Sequence, residues 1–219
     1  MRFRVATYNV HKCRGMDWRV STARILHVVR ELNADILAVQ EIFADQASFL
    51  GHELGTHYVF GAARDLNGQP YGNALFSRFA IERTQRYDMT VGSREPRSCL
   101  CVDLEPPRGA LRVFALHLGT SLLERRHQAE KLEQFLLEPS AAPRIVLGDF
   151  NEWTRGAVTR QLSSRLKIHH GRHYPGLLPF LHLDQIYYDP PLHLIAAKPH
   201  RSRTALLASD HLPLVAELE

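Results

Sequence analysis

Residues 146–153 read VLGDFNEW, and this short stretch decides how the rest of the chain is interpreted. The apolar run that ends at Leu147 is typical of a buried strand, but Asp149 and Asn151 follow it closely. A carboxylate at the end of a buried strand is costly unless its charge is compensated. The stretch therefore predicts a strand that ends in a site, with Asp149 and Asn151 as candidate members.

Apolar runs of strand length recur along the chain, with helical patterns between some of them. The strand candidates are rich in branched and aromatic residues, as buried strands are: FRVATY, DILAVQ, NALFS, CLCVDL, LRVFALHL, RIVLGD, QIYY and LPLVAEL. One helix is predicted after Ser21, its N-cap, a second over 122–138 and a third within 154–166. This mixture predicts an α/β fold of mixed sheets covered by helices, in one domain spanning residues 1–219.

Four consecutive strand candidates, residues 73–77, 83–89, 99–104 and 111–118, are joined by turns such as EPPRG. Short turns favour antiparallel neighbours, so this part of the chain is predicted to be an antiparallel run. The segment 169–181, HHGRHYPGLLPFL, is rich in Gly and Pro and is predicted to be an irregular loop.

The net charge indicates which class of ligand suits the protein, and the cysteine content indicates its cellular compartment. A formal net charge of +4 and a pI near 9.1 suit an anionic ligand such as a phosphate ester, but are too mild to indicate nucleic-acid binding. Cys13, Cys99 and Cys101 have no paired spacing, which favours a reducing compartment. No long apolar run and no signal-like N-terminus are present. The expected location is therefore cytoplasmic, with no membrane span and no evident obligate protein partner.

Polar side chains recur at the margins of the strand candidates. They comprise acids, amides and imidazoles: Asn9, Glu41, His117, Asp149, Asn151, Asp184, Asp210 and His211. A sheet gathers the ends of strands that are distant in sequence along one edge, where ligands usually bind. Oxygen ligands of this kind suit magnesium, which keeps waters and substrate oxygens for the remaining positions. The pattern predicts a site for a hard cation and a phosphate.

Seven motifs, in order, resemble those of the endonuclease/exonuclease/phosphatase superfamily, and they cover the chain from residue 5 to about residue 216: TYNVH, VQE, GNALFSR, ALHLG, GDFN, LDQI and SDH. Each motif alone is weak, but the ordered set, above all GDFN with a terminal SDH, is specific. The resemblance implies a four-layered α/β/β/α sandwich, in which two mixed sheets lie face to face and are flanked by helices. It also implies a metal-dependent phosphoric ester hydrolase that uses Mg²⁺ or Mn²⁺.

The resemblance implies a role for each matching residue. Glu41 resembles the principal metal-binding carboxylate, with Asn9 beside it and Asp210 on the metal side of the site. Asp149 resembles the residue that orients or deprotonates the attacking water, and Asn151 the amide that holds the scissile phosphate.

Four further positions follow from the same resemblance. His211 resembles the phosphate-contacting imidazole, with Asp184 as its carboxylate partner. His117 matches a histidine found in deoxyribonuclease-like, sphingomyelinase-like and deadenylase-like members. The match makes an abasic-site endonuclease a less favoured interpretation. Asn73 matches a residue that binds either phosphate or the side chains that support the phosphate-binding residues. Arg97 matches an arginine that contacts phosphate.

The expected activity is hydrolysis of a phosphodiester in nucleic acid or in a phospholipid head group, and the residues do not choose between these substrates. Two alternatives stay open: a phosphomonoesterase acting on a sugar or inositol phosphate, and a non-catalytic binding module of the same fold. Trp153 could stack on a base or a sugar, or could pack in the core. The cations Lys12, Arg14 and Arg19, which follow Asn9, could contact a phosphate backbone or face water.

Overall fold

The computed structural model describes residues 1–170, 174–176 and 181–219. In these ranges the helices are α1 (Thr22–Leu32), α2 (Ala44–Leu54), α3 (Leu122–Leu136), α4 (Ala157–Leu162) and α5 (Arg203–Ala208). The strands up to the middle of the chain are β1 (Phe3–Asn9), β2 (Ile36–Phe43), β3 (His57–Leu66), β4 (Gln69–Ser77), β5 (Ala80–Asp88) and β6 (Ser98–Glu105). The remaining strands are β7 (Leu111–His117), β8 (Arg144–Asp149), β9 (Lys167–His170), β10 (Asp184–Tyr188), β11 (Leu194–Pro199) and β12 (Leu214–Leu218).

Over the described residues the strands form two mixed sheets of six strands each. The first sheet has the order β11-β12-β1-β2-β4-β3, and the second has the order β5-β6-β7-β8-β10-β9. In each sheet one pair is parallel, β1 with β2 and β7 with β8, and the other neighbours are antiparallel. Asn9 and Asp149 thus lie at the carboxyl ends of central strands in facing sheets.

Three apolar clusters hold the four layers together. The central cluster joins the inner faces of the sheets, for example Val5 and Ile36 from the first and Val113 and Ile145 from the second. A second cluster packs α1, α2 and α5 on the first sheet, and a third packs α3 and α4 on the second. The predicted α/β/β/α sandwich is therefore confirmed.

Local signals account for two of the helix boundaries. The side chain of Ser21 accepts a hydrogen bond from Arg24 N, so the predicted N-cap of α1 is confirmed. Helix α4 is much shorter than the predicted range 154–166. Its first turn is bonded by the buried carboxylate of Glu152, which accepts from Val158 N at 3.1 Å and from Thr159 N at 2.9 Å.

The predicted antiparallel run is correct only in part. Strands β5, β6 and β7 are antiparallel neighbours, and the EPPRG turn joins two of them. Strand β4 lies in the other sheet, between β2 and β3. Both of its edges are already paired, so β5 cannot bond to it, and the chain crosses to the second sheet at residues 78–79. Of the predicted loop 169–181, residues 169–170 end β9, and residues 171–173 and 177–180 lie outside the described residues.

The cysteines Cys13, Cys99 and Cys101 are free and buried, as predicted for a chain without a disulfide framework. Within the described part of the chain, no helix has both the length and the apolar character that crossing a bilayer requires.

Candidate active site

The side-chain amide of Asn9, at the end of β1, joins two carboxylates from opposite sheets. Its Nδ2 donates to Glu41 Oε1 at 3.2 Å and to Asp149 Oδ2 at 3.0 Å. Asn9 and Glu41 belong to the first sheet and Asp149 to the second. Asn9 is buried, as is Asp149. The cleft between the sheet edges thus holds two acids that share one neutral donor.

Glu41 is aimed at this point by a bulge in β2. Val39 pairs with Ala74 and Ile42 pairs with Gly72, so β2 has one residue more than β4 across this interval. Glu41 has a φ of 58°, a left-handed conformation that is uncommon for a residue other than glycine. Bulges of this kind are common next to active sites, where they redirect a side chain.

The pKa of Glu41 lies below its usual value although burial acts to raise it. The positive charge that His117 carries when it is protonated, hydrogen bonds from Asn9 and Tyr71, and the charge of Lys12 together outweigh the burial. Tyr71 Oη donates to Glu41 Oε2 at 2.9 Å, and Lys12 Nζ lies 3.9 Å from the same oxygen. Glu41 is therefore ionised at neutral pH.

Asp149 and Asn151 lie where strand β8 gives way to a tight turn. A Cβ on Gly148 would lie 1.9 Å from Leu116 O, so only glycine allows β8 to approach β7 this closely just before Asp149. Asn151 has a φ of 51°, and its backbone N donates to Asp149 Oδ1 at 2.9 Å. Its side-chain amide donates to Leu118 O at 2.9 Å. The strand ends because the tight turn that follows fixes Asp149 and Asn151.

His211 and Asp184 form a buried ion pair beside Asp149. His211 Nδ1 lies 2.8 Å from Asp184 Oδ2, and His211 Nε2 lies 3.9 Å from Asp149 Oδ2. Burial lowers the pKa of His211, but Asp184, Asp149 and Asp210 outweigh it and raise the pKa to about 10. His211 is therefore protonated at neutral pH. One ligand atom from each of Asp149, Asp184 and His211 lies within 4.8 Å of the others, which is a spacing that could hold a metal ion.

His117 has the opposite character. It ends β7, and burial, followed by the charge of Arg97, lowers its pKa. Arg97 Nη1 lies 2.9 Å from His117 Nδ1, and His117 Nε2 lies 3.7 Å from Asp149 Oδ2. A neutral His117 can accept from Arg97 and present its other N–H towards Asp149.

Asp210 lies on the His11 side of the site. His11 Nδ1 is 3.4 Å from Asp210 Oδ1, and Ser209 Oγ donates to Asn9 O at 2.8 Å. Burial raises the pKa of Asp210, but His11 and His211, among others, lower it below its usual value. Ser209 thereby attaches the SDH segment to the end of β1.

The structure brings the predicted residues to one edge of the sandwich, with Asn73 slightly apart from the others. Asn73 is buried, and its Nδ2 donates to Ser98 O at 3.1 Å, directly beside Arg97. The bond holds β4 against β6. Asn73 thus supports the strand that carries Arg97, and its predicted contact with phosphate stays a prediction.

The sequence interpretation missed Tyr71 and the carboxylate of Glu95. Tyr71 lies two positions before Asn73 and therefore on the same face of β4, which is a signal that could have identified it. Glu95 Oε2 lies 2.8 Å from Arg97 Nη2, and Glu95 Oε1 lies 2.6 Å from Arg64 Nη2. The guanidinium carbon of Arg64 lies 5.3 Å from the centre of the Tyr71 ring. These groups form a basic wall beside Glu41.

The His211–Asp184 pair predicts how stability depends on pH. The folded pKa of about 10 exceeds the ordinary value of 6.5, so the contribution of His211 is complete below pH 6.5 and is lost as pH rises towards 10. One proton gives a slope of at most about 1.4 kcal/mol per pH unit. We expect Asp184→Asn to flatten this decline, because the imidazolium then loses its partner. Urea unfolding across this pH range measures the slope, and equal slopes in both proteins would contradict the assignment.

The chain is similar in sequence to proteins of a known family. The model of the Endonuclease/Exonuclease/phosphatase family matches residues 6–211. Protein YbhP of Escherichia coli K12 is 30% identical to the chain over 99% of its residues and 96% of the relative.

Two solved structures share the fold. An endonuclease/exonuclease/phosphatase from Bacteroides vulgatus superposes with a TM-score of 0.87 at 17% identity, covering 100% of this chain and 99% of that one. The mannosyl-6-phosphatase Bt3783 of Bacteroides thetaiotaomicron superposes with a TM-score of 0.81 at 20% identity and 99% coverage of both chains. With the family match spanning the strand ends that carry the cleft, the chain belongs to the endonuclease/exonuclease/phosphatase family.

Proposed function

We propose that this protein is a Mg²⁺- or Mn²⁺-dependent hydrolase of phosphate esters, acting on a phosphodiester. The observation that carries the proposal is the Asn9 amide between the carboxylates of Glu41 and Asp149, with the protonated His211 on the other side of Asp149. An anionic base, a hard-cation ligand and a fixed positive charge are the components that phosphoryl transfer to water requires.

The donor set fits a hard divalent ion. Glu41 is ionised and three-quarters or more of its side chain is shielded, while the Asn9 amide, whose Oδ1 accepts from His11 N at 3.1 Å, and the Asp210 carboxylate supply further oxygens. The neighbouring acids Asp149 and Asp184 leave the cleft rich in carboxylates. Glu41, with Asn9 and Asp210 nearby, would hold the ion. When bound, it would neutralise negative charge on the phosphoryl oxygens.

Asp149 is the residue best placed to accept a proton from water. Hydrogen bonds from Asn9 Nδ2 and Asn151 N fix both of its oxygens in direction. A carboxylate held in this way can orient a water for attack along the line of the leaving oxygen. Its burial excludes competing solvent, which strengthens each electrostatic interaction.

The substrate phosphate would be held by groups that surround Asp149. His211 is a charged donor whose orientation is set by Asp184. The amide of Asn151 and the guanidinium of Arg97 supply further donors on two sides. His117, neutral because of burial and Arg97, offers an N–H without adding charge. Donors fixed before the reaction stabilise developing charge at little reorganisation cost.

A second candidate is a phosphomonoesterase acting on a small sugar phosphate. The mannosyl-6-phosphatase Bt3783 has the same fold over nearly its full length. The basic wall of Arg64 and Arg97 would suit the higher charge of a monoester. A non-catalytic binding module is less well supported, because the complete set of acids and imidazoles converges on one point.

A substrate panel in magnesium tests the proposal. We expect hydrolysis of bis(p-nitrophenyl) phosphate and of at least one natural diester among single- and double-stranded DNA, RNA, sphingomyelin and cardiolipin. A preference for p-nitrophenyl phosphate or mannose 6-phosphate over every diester would support the monoesterase instead. Turnover of no phosphate ester in magnesium or manganese would refute both.

A further inference from the structure

Two groups of exposed apolar side chains flank the cleft. The first flank comprises Met16, Trp18, Val20 and Leu207, and the second comprises Leu122, Leu123 and Trp153. Trp18 is 78% exposed, Leu122 is 73% exposed and Trp153 is 67% exposed. Large apolar groups grouped in this way mark sites of interaction with a protein, a ligand or a membrane.

Both flanks belong to segments that leave the site itself. The first follows Asn9 and includes the residue two positions before Ser209, and Met16 N donates to Leu207 O at 3.0 Å. The second follows the ends of β7 and β8, and Asn151 Nδ2 joins these two segments by its bond to Leu118 O. The flanks therefore rise on either side of the catalytic cleft, at the same end of the sandwich.

A tight backbone turn in the first flank holds the indole of Trp18 in solvent. Trp18 has a φ of 65°, and its backbone N bonds to Gly15 O at 2.9 Å in a tight turn. The turn is closed by pairing between Arg14 and Val20. A left-handed tryptophan at the tip of a turn is uncommon, and the turn holds it away from the core.

The exposed, unpaired charges on these segments are all positive. Within the described residues 12–20, 119–127 and 151–155, four exposed arginines form no ion pair: Arg14, Arg19, Arg126 and Arg155. The carboxylates of these segments are turned inward or paired. Asp17 bonds to Arg24, Glu124 is buried, and Glu152 bonds to the first turn of α4. The exposed acids of this end include Asp45 on α2, Asp65 at the end of β3 and Glu95, which is paired with Arg64 and Arg97, and all three lie outside the flanks.

We propose that the two flanks dock this end of the protein on an anionic phospholipid bilayer, so that the cleft acts on the phosphodiester of a lipid head group. Tryptophan and leucine enter the interface while arginines meet anionic head groups, which is the composition of an interfacial surface. Leu122, Leu123 and Val20 decide against nucleic acid, because aliphatic side chains offer no stacking face to a base. The substrate class rests on the proposed hydrolase activity, whereas the docking does not.

Vesicle co-sedimentation tests the docking. We expect the wild type to bind vesicles of equal phosphatidylcholine and phosphatidylglycerol more tightly than vesicles of phosphatidylcholine alone. The variants Trp18→Ala and Leu122→Ala/Leu123→Ala should each bind about tenfold more weakly, because apolar area leaves the interface. The charge reversal Arg14→Glu/Arg126→Glu should weaken binding to the anionic vesicles and leave the phosphatidylcholine vesicles little affected.

A matched control is Leu137→Ala/Ile195→Ala, which removes exposed apolar side chains from the C-terminal end of α3 and from β11. We expect this control to bind like the wild type, and all variants to hydrolyse soluble bis(p-nitrophenyl) phosphate at the wild-type rate. Only the flank variants should lose hydrolysis of vesicle phospholipid.

The outcomes separate the two proposals. Wild type that hydrolyses the soluble diester but does not bind vesicles refutes the docking and leaves the hydrolase intact. Wild type that binds vesicles through the flanks but cleaves no ester refutes the hydrolase and supports the docking. Equal binding by flank and control variants, or Trp18-dependent binding of single-stranded DNA in place of vesicles, overturns the docking.

Discussion

Replacing Asp149 by asparagine is expected to lower kcat for bis(p-nitrophenyl) phosphate by about 10³-fold, within the range seen for general bases. The amide keeps the shape of the carboxylate but cannot accept the proton of water. Its oxygen can still receive one of the bonds from Asn9 and Asn151, so the melting temperature should change little. Steady-state kinetics and thermal unfolding of the same preparation measure both effects.

A control for this substitution is Asp103→Asn on β6. Asp103 is paired with Arg112 at 2.7 Å and lies away from the cleft, so its amide variant should keep the wild-type rate. His211→Ala is expected to abolish hydrolysis as Asp149→Asn does, because the fixed positive charge beside the phosphate is lost. Full activity in either Asp149→Asn or His211→Ala would show that the roles assigned to them are wrong.

Removing the divalent ion is expected to produce the second large effect. Excess EDTA should silence hydrolysis, and magnesium or manganese should restore it, since the carboxylates around Asn9 otherwise repel the phosphate. Glu41→Gln should raise the magnesium concentration for half-maximal activity by about 10–100-fold or more, the scale of losses when a metal site is weakened. Activity measured against magnesium concentration gives both results.

A readout independent of turnover accompanies this experiment. Binding of magnesium to the folded protein should raise the melting temperature by mass action. The increase should be large in the wild type and nearly absent in Glu41→Gln. The distant exposed variant Glu53→Gln on α2 is the control and should behave like the wild type. Full activity in excess chelator would contradict the metal-dependent mechanism.

The residue patterns predicted mixed sheets covered by helices, and the resemblance carried by GDFN, SDH and the other motifs implied the four-layered sandwich. Apolar runs alternate with helical stripes, and both periods follow directly from backbone geometry. The N-cap at Ser21 and the pairing of β6 with β7 are local signals that the structure confirms. The predicted range of α4 was too long. The carboxylate that accepts hydrogen bonds from its first turn belongs to Glu152, which lies outside the helical pattern.

The sequence by itself predicted most of the polar groups that meet at this edge of the sandwich, because the type of each residue and its place at a strand end are written in the chain, but it did not identify Tyr71 or Glu95. Tertiary structure alone decided how those groups meet. Asn9 and Asp149 are 140 residues apart and share a hydrogen bond. The bulge that aims Glu41 depends on pairing with β4, and that pairing also forces β5 into the other sheet. The pKa of His211 depends on carboxylates that only folding brings close, since charge interactions are set by distance and burial, which residue order does not specify.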